Sequence, residues 1–131
     1  MSTAALSLIL CEPRARYLPG ETLTVEYSVD EVSAELVEAV EISVLWFTEG
    51  KGDEDMAVHY FARVENDAQQ DFSQSRRFST VLPNSPLSYE GVIVKIHWCV
   101  RVRAFLERGK QLVEEQMFRL GEIPPAHAVL P

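Results

Sequence analysis

Apolar and polar residues alternate one for one along most of this chain, and few stretches repeat at helical spacing. A period of two sends successive side chains to opposite faces of a strand, so the pattern predicts β-structure nearly throughout. From Thr22 to Asp30, Leu23, Val25, Tyr27 and Val29 face one way, and Thr22, Thr24, Glu26 and Ser28 the other. Glu41 to Thr48 places Ile42, Val44 and Trp46 on one face, and Met56 to Val64 returns with Val58, Tyr60, Ala62 and Val64 inward. The longest run, Val92 to Leu106, puts Val92, Val94, Ile96, Trp98, Val100 and Val102 on the core side. A strand of that length is expected to bend or bulge.

Turn signals separate these runs. Pro19-Gly20 follows a first strand over Leu6 to Glu12, because Pro presets φ and Gly accepts φ > 0. The polar, glycine-bearing stretch from Glu49 to Asp55 reads as a hairpin loop, Glu65 to Asp71 as a second turn, and Arg108-Gly109-Lys110 as the last hairpin. Phe72 to Leu82 and Leu112 to Leu120 complete the strands. Glu31 to Glu38 fits the start of a helical turn, at Glu35 to Glu38, and a loop or bulged strand entry equally well. About seven or eight strands at regular spacing predict an all-β antiparallel sandwich or barrel. Residues 1–121 form the domain in this reading, and 122–131, with three prolines and no periodicity, form a loose tail.

Composition narrows the function classes. A chain of 131 residues fits one domain and can bury enough surface to need no disulfide or metal staple. The formal net charge of −8 disfavours nucleic acid and anionic lipid as ligands. Cys11 and Cys99 lie far apart in apolar runs and read as buried or half-buried thiols. The N-terminus lacks the basic start of a signal peptide, and no apolar run approaches the ~20 residues of a membrane helix, so the expected compartment is the cytoplasm, without membrane insertion.

Three stretches carry a resemblance. Tyr17-Leu18-Pro19-Gly20-Glu21-Thr22-Leu23 resembles the "Y-x-PGE-x-apolar" turn of arrestin-like domains. Phe78 to Leu82, followed by Pro83 and Pro86, resembles their "F-x-F-x-LP-x-x-P-x-S" segment, with Thr80 in place of the second aromatic. Ser88-Tyr89-Glu90-Gly91 and then Ile96 to Val102 resemble the strand that follows. The order and rough spacing also match. The resemblance implies an immunoglobulin-like antiparallel β-sandwich of arrestin type, in a superfamily that includes arrestins, a retromer subunit and sporulation-control proteins of the Spo0M kind. It implies a scaffold or adaptor without catalytic activity. Most such proteins carry two sandwiches and this chain one, which brings a homodimer, or a partner that supplies the second half, into consideration.

Candidate chemistry is sparse. Lys95, His97, Arg101 and Arg103 alternate on one side of the long strand together with Cys99 and project as a cationic stripe. Guanidinium forks match carboxylate and phosphate, so the stripe is a candidate dock for an acidic or phosphorylated segment of a protein partner. The competing reading pairs these cations with acids across the sheet, such as Glu26 or Glu41. Glu49, Asp53, Glu54 and Asp55 lack the spacing of a calcium loop. His59, His97 and His127 fit no zinc motif, and a Cys99–His97 pair lacks any feature that would activate the thiol. No cofactor motif and no metal site is expected. Two other binding modes stay open: a free sheet edge, or the tail from Ile123 donated as a strand. A small-ligand or carbohydrate site at the loop tips, using Tyr17, Tyr89 and Phe72, is the alternative function.

Overall fold

The computed structural model describes residues 5–30, 36–52, 54–66 and 72–121. Among these residues eight strands form: β1 (Ala5–Leu10), β2 (Thr22–Asp30), β3 (Val37–Gly50), β4 (Met56–Glu65), β5 (Arg76–Val81), β6 (Tyr89–Glu90), β7 (Val94–Leu106) and β8 (Gln111–Phe118). They make a three-stranded sheet in the order β1-β2-β5 and a five-stranded sheet in which β4, β3 and β7 are followed by β6 and β8, both against the far side of β7. Every strand pair is antiparallel. The alternation explains the layering. Leu23, Val25, Tyr27 and Val29 of β2 meet Val40, Ile42 and Val44 of β3 and Trp98, Val100 and Val102 of β7 in one core. Cys11 is half-buried, Cys99 is buried, and both are free thiols.

The three resembling stretches have structural work to do. Leu18 to Glu21 is a turn closed by Glu21 N–H on the Leu18 carbonyl at 3.1 Å, with Gly20 at φ 86°. That φ falls where L side chains are disfavoured. The Glu21 carboxylate accepts from Leu18 N–H at 2.6 Å and pairs with Arg14. Tyr17 is buried, donates its hydroxyl to the Glu12 carbonyl at 2.7 Å and meets the Phe118 ring edge-on at 5.8 Å. Its backbone takes Leu120 as a parallel partner, through Tyr17 N–H to Arg119 O at 2.9 Å and Gly121 N–H to Tyr17 O at 2.7 Å. Ser88 holds Leu120 from the other side: its N–H donates to the Leu120 carbonyl and its Oγ accepts from the Leu120 N–H, both at 2.8 Å. Trp98 donates its indole N–H to the Pro86 carbonyl at 2.8 Å.

The structure corrects several boundaries and faces. The first strand ends at Leu10 rather than Glu12, and β5 begins at Arg76 although Phe72 is buried and its carbonyl accepts from Val29 N–H at 2.8 Å. The final strand ends at Phe118, and Leu120 follows as the isolated bridge to Tyr17. In β4 the register slips between Val44 and Leu45 of β3, so Val44 faces Tyr60 while Leu45 faces Val58. The extra residue is His59, which stays exposed, meets the Trp98 ring edge-on at 6.1 Å and hydrogen-bonds the Val81 carbonyl at 2.8 Å. Val58 is thereby moved from the core face to the outside, as an inserted residue in a period-two element must do. The long strand starts at Val94, and Val92 and Val94 are exposed rather than core. Val37 opens β3, while residues 31–35 and the tail 122–131 lie outside the described residues.

Two positions give stability tests. Gly50 has φ 146°, and a Cβ there would sit 2.1 Å from the Ile93 carbonyl oxygen. Gly50→Ala is expected to cost about 1–3 kcal/mol in urea denaturation, the scale of backbone strain at such sites. Ser88→Ala strands the buried Leu120 N–H and is expected to cost about 1–3 kcal/mol. Thr24→Ala, which loses an exposed 2.8 Å contact to Ser79, is expected to stay within about 0.5 kcal/mol of wild type. Equal effects of the last two substitutions would contradict the structural role of Ser88.

Candidate functional site

The cationic stripe lies on the outer face of the five-stranded sheet. β7 is central in that sheet, so the register of its neighbours decides what surrounds each cation. Glu49 reaches His97, with Oε2 at 2.7 Å from Nε2, and the imidazole lies tilted against the Phe47 ring with centroids 5.2 Å apart. Glu115 of β8 lies opposite Arg101 and accepts from its Nε at 3.2 Å. Arg103 is in register with Glu41, but Glu41 bonds Arg63 of β4 at 2.8 Å, and Arg63 also holds Glu65 at 2.6 Å. These two carboxylates raise the Arg63 pKa further. Lys95 stands between Glu49 and Glu90 in the register.

The outward side chains of β4, β3, β7 and β8 include Lys95, Arg63, Arg101 and Arg103 against Glu41, Glu49, Glu65 and Glu115. Four cations meet four carboxylates, so the face is formally neutral with His97 neutral. The four expected residues do share one face. They do not form a cationic surface by themselves. Glu26, one of the acids expected as a partner, belongs to the other sheet and lies 3.6 Å from Arg77.

Apolar residues that the alternation assigned elsewhere, or left unassigned, complete this face. Val58, Leu45, Cys99 and Met117 form one cross-strand row, and Met56, Phe47 and His97 the next. Leu45 and Cys99 are fully buried although they lie on the outer side of the sheet. Met56, Val58, Phe61 and Met117 around them are exposed. The signal that would find this row is the register shift at His59, which hydrophobic periodicity does not carry.

The Cys99 thiol is pushed up to about 11, first by burial, then by the Glu115 charge, against a smaller opposing effect of Arg101. At neutral pH the thiolate fraction is then about one in ten thousand. His97 is held by Glu49 and Phe47, and His59 by Val81 and Trp98. Among the described residues, no group of three or more His, Cys, Asp or Glu side chains could hold a metal ion. His127 lies outside them. Of the three aromatics proposed for a loop-tip ligand site, Tyr17 and Phe72 are buried. Burial also raises the Tyr17 and Tyr27 phenols above their ordinary values. Tyr89 is half-buried and lines a cleft of about 420 Å³ between β6 and β8, with Ile96, Met117 and Phe118 beneath and Arg14 and Arg119 beside it.

Comparison with known proteins gives a fold. No family model matches the sequence, and no curated protein matches it. Among solved structures, the chain is similar to Spo0M, a sporulation control protein from Bacillus subtilis, at 13% identity and a TM-score of 0.59. The match covers 97% of this chain and 51% of that one, so the chain spans about half the length of Spo0M. A superoxide reductase (neelaredoxin) from Ignicoccus hospitalis is similar at 9% identity and a TM-score of 0.55, over 88% of this chain and 80% of that one. The likeness to Spo0M, together with the three resembling stretches, makes this chain an arrestin-like β-sandwich in fold.

Proposed function

We propose that this chain is a non-enzymatic protein-binding module, an adaptor or scaffold subunit, and that it binds its partner on the outer face of β4, β3, β7 and β8. The observation that carries the reading is the set of exposed Met56, Val58, Phe61 and Met117 around buried Leu45 and Cys99, on a sheet face with no covering element among the described residues. A contiguous apolar patch rimmed by charge is the ordinary form of a protein contact. It has more area than the cations alone would supply.

The cations give the patch its direction. Arg103 and Lys95 make no ion pair among the described residues, and both remain available to a carboxylate or phosphate on the partner. Arg101 and His97 are held by part-exposed acids. Exposed pairs of this kind are worth about 0.2–1 kcal/mol, so a partner anion can displace Glu115 or Glu49 at small cost. The favoured partner is therefore a protein segment with apolar side chains for the Val58–Met117 row and an acidic or phosphorylated group for Arg101 and Arg103. The raised thiol of Cys99 and the commitment of His97 to Glu49 support binding over nucleophilic catalysis. The loop-tip ligand reading draws no support from the buried Tyr17 and Phe72.

The test is retention of proteins from soluble extract of the native cell on immobilised chain. Phe61→Asp and the Arg101→Glu/Arg103→Glu pair run beside wild type. A specific protein held by wild type and reduced at least tenfold by both variants is expected. Retention unchanged by both removes the outer face as the site, and retention of nothing removes the adaptor reading.

A further inference from the structure

We draw no further inference here: the strongest candidate, the exposed apolar tip of Val92, Ile93 and Val94 between β6 and β7, carries none, because nothing in the structure shows what covers it and the arginines of the cleft beside it already stand with Glu12, Glu21 and Glu90.

Discussion

Leu120 is clasped between Tyr17 and Ser88, and the rest of the sandwich end depends on that clasp. Four backbone and hydroxyl hydrogen bonds, between 2.7 and 2.9 Å, tie the segment after β8 to the loop before β2 on one side and the loop before β6 on the other. None of these segments is long enough to be held by a ladder. Polar groups in a closed site must be paired, and here each irregular strand supplies the partners the others lack. The clasp lets Phe118 meet Tyr17 and Trp98 at centroid distances of 5.8 and 5.9 Å, and Trp98 in turn fixes Pro86 through its indole N–H. The cleft between β6 and β8 is the space left over when two strands are anchored to β7 by separate means.

This explains why the recognisable motifs say much about fold and little about function. Tyr17, Glu21, Ser88 and Trp98 direct their polar atoms into the structure itself. A residue so occupied has nothing left to offer a ligand. What can bind is what the motifs leave uncovered: the outer sheet face and the β6–β7 tip.

The strands were legible because a period of two is a local property. Leu23 to Val29, Ile42 and Val44, and Trp98 to Val102 are inward as the alternation requires. Two things were not local. The first is register. Alternation puts the cations of β7 on one face and suggests acids across the sheet such as Glu26 or Glu41, yet the acids that hold His97 and Arg101 are Glu49 and Glu115, on strands whose alignment no single run encodes. The second is a break in period. His59 adds one residue to β4 and reverses Val58, which puts a residue expected in the core at the exposed β4 end of the row through Leu45 and Cys99 to Met117. Val92-Ile93-Val94 did carry a local sign, three apolar residues in succession. Alternation absorbed two of them into the core because nothing in the sequence marks Gly91 and Gly50 as the points where backbone meets backbone.

The two exposed apolar surfaces differ in kind, and the difference follows from how each is held. The outer face rests on β3 and β7, the two longest strands, and its apolar side chains stand around a floor that is already dry. Such a face gains from a partner broad enough to cover the Val58–Met117 row and loses little if the partner varies, because flexible Met56 and Met117 adapt to what lies on them. The tip is the opposite: two stiff β-branched side chains on a turn fixed by backbone hydrogen bonds and glycine contacts. A rigid projection of that size discriminates by shape, so it suits one complementary cavity.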